Sequence, residues 1–183
     1  MICVFSSLVN AENGLVTAAN ERLKHFVIYD GAYQSIAYPN GDVDKNKGVC
    51  TDVIIRSYRS LGIDLQQLVH EDMKKNFKDY PQIWGLSKPD TNIDHRRVPN
   101  LEKFFNRNGT TLSISDDARD YKPGDLVTWR VSNNLPHIGI VSNTPSKKDP
   151  NRYKIIHNIG LGPKLDDVLF NYKIVGHYRY EID

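Results

Sequence analysis

The residues of this chain best able to do nucleophilic or acid–base chemistry are two cysteines, Cys3 and Cys50, and six histidines at positions 25, 70, 95, 137, 157 and 177. A thiol of ordinary pKa, roughly 8.5, is only a few per cent ionised at neutral pH, whereas the positive end of a helix favours the thiolate. Val49, Val53, Ile54, Ser57, Tyr58 and Leu61 recur at helical spacing, so Cys50 falls in the first turn of a helix. A thiolate also needs an imidazole to hold its proton. His137 opens the run His137-Ile-Gly-Ile-Val141, in which alternation puts His137 and Gly139 on one face of a strand. The missing side chain at Gly139 would let the Cys50 helix approach that face, unless the glycine only marks a bulge. The next strand, Tyr153-Lys-Ile-Ile-His157-Asn158, offers two residues that could orient His137. His157 and Asn158 lie on opposite faces of it, and either could serve.

Zinc could be held by Cys50, His137 and His157, but no Cys-x-x-Cys or His-Glu-x-x-His spacing occurs, and neither metal nor cofactor is expected. Asp94-His95-Arg96-Arg97 reads either as a solvated loop or as a place where guanidinium groups grip carboxylates of an acidic peptide.

The elements that must position these groups divide into a helical and a β half. Leu15, Ala19, Leu23, Phe26 and Val27 predict an amphipathic helix from Gly14 to about Tyr29. An extended stretch Ala32–Pro39 and a turn-rich segment then deliver the chain to the Cys50 helix, with Gly62 as its C′ residue and a third helix over Leu65–Met73. Residues 76–100 show no period and read as a long ordered loop, followed by a fourth helix over Pro99–Asn108. Strands are expected at Leu126–Arg130, Ile138–Ser142, Tyr153–Asn158 and Ile174–Tyr180. This is an α+β pattern with an antiparallel sheet.

With 183 residues, 39% hydrophobic and 25% charged, the chain has the size and composition of one globular domain, and a net charge of +2 argues against nucleic acid as partner. No run approaches the ~20 apolar residues that cross a bilayer. Residues 1–11, ending in Val9-Asn10-Ala11, look like a shortened signal peptide, which leaves 12–183 as the domain and implies export to a periplasm or beyond. Cys3 lies in that leader, so Cys50 is expected to be a lone thiol.

The run Lys122-Pro-Gly-Asp-Leu-Val-Thr-Trp129, followed by His137-Ile-Gly-Ile-Val141 and Ile155-Ile-His157, resembles the strand order of the NlpC-type papain-like cysteine hydrolases of bacterial cell walls. That resemblance implies a papain-like fold, Cys50 as nucleophile, His137 as base, His157 as orienting residue, and a peptidoglycan peptide as substrate. Tyr38 sits where these hydrolases often carry a tyrosine near the oxyanion site. Val49-Cys50-Thr51-Asp52 departs from their usual Asp-Cys-Ser-Gly. The wider chain, with Gly48-Val-Cys-Thr-Asp52, His70-Glu-Asp-Met73, Asn92-Ile-Asp-His-Arg-Arg97 and His177-Tyr-Arg-Tyr180, is similar to the bacterial domain-of-unknown-function family 1287. A different class of function, a non-catalytic wall- or partner-binding module, would fit the same scaffold.

Overall fold

Period-two alternation in the second half of the chain builds a six-stranded antiparallel sheet in the computed structural model, which describes residues 14–181. Residues 1–11 and Cys3, read above as a leader, lie outside the described residues. The strands are β3 (Thr110–Thr111), β4 (Leu126–Val131), β5 (Leu135–Pro145), β6 (Tyr153–Asn158), β7 (Pro163–Asp166) and β8 (Lys173–Arg179), in the order β3-β8-β4-β5-β6-β7. A separate parallel pair joins β1 (Ile28–Tyr29) to β2 (Lys47–Gly48).

Alternation sorts side chains to the two faces of the sheet. Leu126, Ile138, Ile140 and Ile156 face one way and pack against α1 (residues 14–22), α2 (Cys50–Arg59), α3 (Leu65–Asn76) and α4 (Val98–Asn108) in a single core with Ile54, Leu65, Leu101 and Phe105. Val127, Trp129, Val141 and Ile155 face the other way and are covered by Tyr121 and Leu169. Both faces are therefore buried, which holds β4, β5 and β6 rigidly in the centre of the domain.

Local chemistry sets the ends of α2. The Asp52 carboxylate accepts the Val49 N–H at 2.6 Å, satisfying a donor the helix start leaves over. At the other end Gly62 sits at φ +81°, with Ile63 N–H bonded to the Tyr58 carbonyl and Gly62 N–H to that of Arg59. That is the Schellman pattern expected of a C′ glycine. Asp64 caps α3 through the Gln66 N–H, and Pro99 stands in the first turn of α4, where its missing N–H costs nothing.

Three expectations are corrected. The first helix stops at residue 22 instead of Tyr29, because successive three-residue bonds (Leu23 to Asn20, Lys24 to Glu21, His25 to Arg22) tighten its last turn. The β1–β2 pairing then captures the segment through Ile28 N–H to the Asn46 carbonyl at 2.7 Å, leaving Phe26 79% exposed. Residues 76–100 also contain more structure than a loop. α3 runs on to Asn76, and 3-10 turns form at Phe77–Asp79 and Asp94–Arg96. Finally, Gly139 does not make room for α2. A side chain there would strike Ile155 Cγ2 at 2.5 Å and His157 Cβ at 3.2 Å, so the glycine admits the neighbouring strand's residues on the face away from the helices.

Candidate active site

His137 and His157 leave β5 and β6 on that same face and meet there. Their rings are T-shaped, with His137 Nε2 2.8 Å from His157 Nδ1. His157 Nε2 lies 3.3 Å from Asp166 Oδ2 at the end of β7, the strand that pairs His157 with Lys164. A carboxylate on Nε2 holds the His157 proton on that nitrogen, which makes Nδ1 an acceptor. The acceptor in turn holds the His137 proton on Nε2. Nδ1 of His137 is then an unprotonated lone pair and makes no hydrogen bond among the described residues. This is the form a general base must take.

Burial pushes His137 down to about 3, with His157 beside it acting the same way, and burial lowers His157 too despite the opposing pull of Asp166. Both rings are neutral at physiological pH. Trp129, paired with His137 across the ladder, lies with its ring 6.0 Å away and walls the site. Asn158, the rival orienting residue, points to the other face, where its amide reaches the Gly48 carbonyl at 3.4 Å. Of the two, His157 is the one in contact with His137.

Cys50 is the first residue of α2 and is 5% exposed. Its sulfur meets β5 at the backbone N–H of Ile138, the peptide that follows His137. Burial pushes the thiol up to about 11, and Asp52 adds to this, while the N–H groups of Ile138, Thr51 and Cys50 pull the other way. The resting state therefore holds thiol and imidazole, both neutral, on opposite faces of β5, the thiol beside Ile138 on the helix-covered face and the His137 ring with Trp129 on the other. No hydrogen bond joins Cys50 to His137 among the described residues.

Other residues singled out in the sequence take different places. Tyr38 packs edge-on against His70 of α3, 5.1 Å between centroids, and its hydroxyl is raised by partial burial, Glu71 and Asp64, which ties it to α3 and not to Cys50. The tyrosine near the thiol is Tyr29, which pairs with Gly48 two residues before Cys50. Burial, with Cys50 and Asp52 adding to it, raises Tyr29 to about 12. The helix expected to run through residue 29 hid this placement.

The segment Asp94–Arg97 is no solvated loop. Asp94, His95 and Arg96 are buried at 2%, 2% and 6% exposure. Arg96 grips Asp52 with Nε to Oδ1 at 2.9 Å and Nη2 to Oδ2 at 3.0 Å, and its carbonyl accepts the Thr51 hydroxyl at 3.1 Å. These bonds clamp the start of α2, and with it Cys50, to the 3-10 turn. Burial, helped by Arg96 and Arg59, pushes His95 down to about 3, so it is neutral. Arg97 alone reaches outward. Its guanidinium lies 4.1 Å over the Trp84 ring and bonds Asp94 at 3.1 Å.

Among the described residues no cluster of three His, Cys, Asp or Glu is arranged to hold a metal, and no helix is long and apolar enough to cross a membrane. A family model described as Domain of unknown function (DUF1287) matches residues 16–180. The "Uncharacterized protein YijF" of Escherichia coli (strain K12) is 50% identical over 171 residues, covering 93% of this chain and 82% of its own length.

Proposed function

Because the chain belongs to the DUF1287 family, whose description names a domain and no reaction, we propose its chemistry from the site itself: cysteine-dependent hydrolysis of an amide or peptide bond on a papain-like fold. The observation that carries this reading is the run from His137 through His157 to Asp166, which leaves His137 Nδ1 unpartnered, with Cys50 at the start of α2 packed on the same strand at Ile138. The substrate is a peptide of the bacterial cell wall and the protein works in the periplasm or outside the cell, both following from the resemblance to the NlpC-type hydrolases and from the leader-like residues 1–11.

This mechanism requires the start of β5 to turn so that His137 Nδ1 comes round to Cys50, where it takes the thiol proton as the sulfur attacks the substrate carbonyl. The Cys50 backbone N–H and the Tyr29 hydroxyl receive the oxyanion. The carbon–nitrogen bond then breaks, and His137 delivers the proton to the departing amine. Water, deprotonated by His137, cleaves the thioester and restores the thiol. Because both groups start neutral, charge separates only as the nucleophile forms, and Asp166 acting through His157 steadies the imidazolium.

Cys50→Ser should lower cleavage of purified wall peptides by about 10³-fold or more while leaving binding intact. Cleavage at the wild-type rate would overturn the assignment.

A second reading is a non-catalytic binding module, favoured by the burial of Cys50 and its raised thiol. It expects no turnover by wild type and equal peptide binding by wild type and Cys50→Ser.

A further inference from the structure

Beside the N-terminus of α2 a cleft of about 370 Å³ opens, lined by Gly31, Tyr33, Val49, Ile93, Arg96 and Arg97. That volume is in the range of ligand sites. Val49 directly precedes Cys50, so one wall of the cleft adjoins the candidate nucleophile.

Two guanidinium groups along this cleft keep donors to spare. Arg97 is fixed in place by the Trp84 ring beneath it and by one bond from Nη1 to Asp94, while its Nε and Nη2 make no hydrogen bond with the described residues. Arg96, whose side chain is 2% exposed, spends Nε and Nη2 on Asp52, and its Nη1 is buried without a partner. An unmet guanidinium donor in a buried setting is costly, and an incoming acceptor relieves that cost. A guanidinium already held over an aromatic ring loses little freedom when it binds.

We propose that this cleft is a subsite for the carboxylate of an acidic peptide, gripped by Arg97 with Arg96 behind it, which sets an acidic residue beside the bond that Cys50 attacks. The inference rests on the hydrolase reading for its purpose, but its binding test does not. Each arginine already faces a carboxylate, Asp52 or Asp94, and Asp90 stands nearby on the Tyr33 hydroxyl at 3.1 Å. The cleft thus offers planar donors without a surplus of positive charge. This suits a monoanionic carboxylate better than a dianionic phosphate.

The test uses the Cys50→Ala protein, in which no chemistry can occur, titrated calorimetrically with three N-acetylated probes. These are Ala-Glu-Ala amide, its neutral isostere Ala-Gln-Ala amide, and Ala-Gln-Ala with a free C-terminus, so that side-chain and terminal carboxylates are told apart. One of the two carboxylate probes should bind about tenfold more tightly than the neutral one. Adding Arg97→Gln should erase that preference without changing affinity for the neutral probe. Arg97→Lys, which keeps the charge and loses the fork, should retain part of the preference and guards against a folding artefact. Equal binding of all three probes, an undiminished preference in the folded Arg97→Gln protein, or inorganic phosphate binding more tightly than either carboxylate would overturn the subsite. A preference that persists in a protein whose wild type cleaves nothing would sink the hydrolase reading and leave the subsite standing.

Discussion

Two pairings of a buried histidine with an aspartate sit on the same face of the sheet and differ in what they leave unused. In one, His177 has both nitrogens engaged, Nδ1 with the Ser113 carbonyl and Nε2 with Asp125, each at 2.9 Å. Asp125 is itself saturated by Arg179 at 2.8 Å and the Lys122 N–H at 2.8 Å, and Tyr121 stacks on the imidazole. In the other, the chain from Asp166 through His157 ends at His137 with a nitrogen to spare, next to the strand peptide that Cys50 touches. The first arrangement ties β8 to the loop before β4 and has no capacity left for chemistry. The second is built of the same residue types but is open at one end. A histidine's hydrogen-bond account separates a structural role from a reactive one more sharply than burial does, since both rings are nearly inaccessible.

The contrast can be broken by mutation. Asp125→Asn removes a fully buried charge from between His177 and Arg179 and should cost about 3 kcal/mol of stability in denaturant melts, with turnover per folded molecule unchanged. A large loss of turnover at unchanged stability would show that the saturated cluster also takes part in the reaction.

Acid probes the open site next. His95 and His137 have folded pKa values pushed down to about 3 and His157 is lowered as well, so these rings stay neutral in the fold while the unfolded chain protonates them below about 6.5. The unfolded state then binds more protons, and stability must fall as pH drops from about 6.5 toward 3. Between pH 7 and 5 the loss should reach about 4 kcal/mol by chemical denaturation, roughly half of it from each of His95 and His137 with His157 adding to both, and it should shrink by about 2 kcal/mol in His137→Gln. A flat profile over that interval would place charged imidazoles in the folded state and contradict the tautomer argument.

The smallest expected effect is at Asp166, whose carboxylate is 42% exposed. Asp166→Asn keeps the size and weakens the hold on the His157 proton. It should lower kcat about tenfold with KM little changed, and shift the acid limb of the pH profile. A change confined to KM would make Asp166 a substrate contact and not a positioning residue.

Much of the site could be read before folding because its parts are local. A cysteine at the start of a helical period, a histidine opening an alternating strand and a glycine at a helix end each carry their own signal. The central strands likewise declared themselves, since residues 126–130 and 153–158 alternate cleanly between two buried faces.

What stayed hidden depends on distant partners. Strand β7 begins with Pro163 and carries Lys164 and Asp166, a composition tolerable only at a sheet edge, so Asp166 had no local mark. The Asp52–Arg96 clamp joins residues 44 positions apart, and a run of charged residues reads as solvent-facing until its partner is seen. Tyr29 was masked because Phe26 and Val27 continue the helical period of Leu23, and only the pairing with Lys47 and Gly48 pulls that segment out of the helix. The side on which Gly139 makes room could not be told from alternation alone, since the pattern gives faces but not which face the helices cover.

The central claim, that Cys50 is a nucleophile served by His137, is tested most directly by acid-quenching wild-type protein during its reaction with wall peptides and measuring its intact mass. The account predicts an acyl adduct that maps to the peptide containing Cys50, is absent from Cys50→Ser, and accumulates in no His137→Ala sample. Turnover without any adduct on Cys50, at a rate Cys50→Ser reproduces, would contradict it.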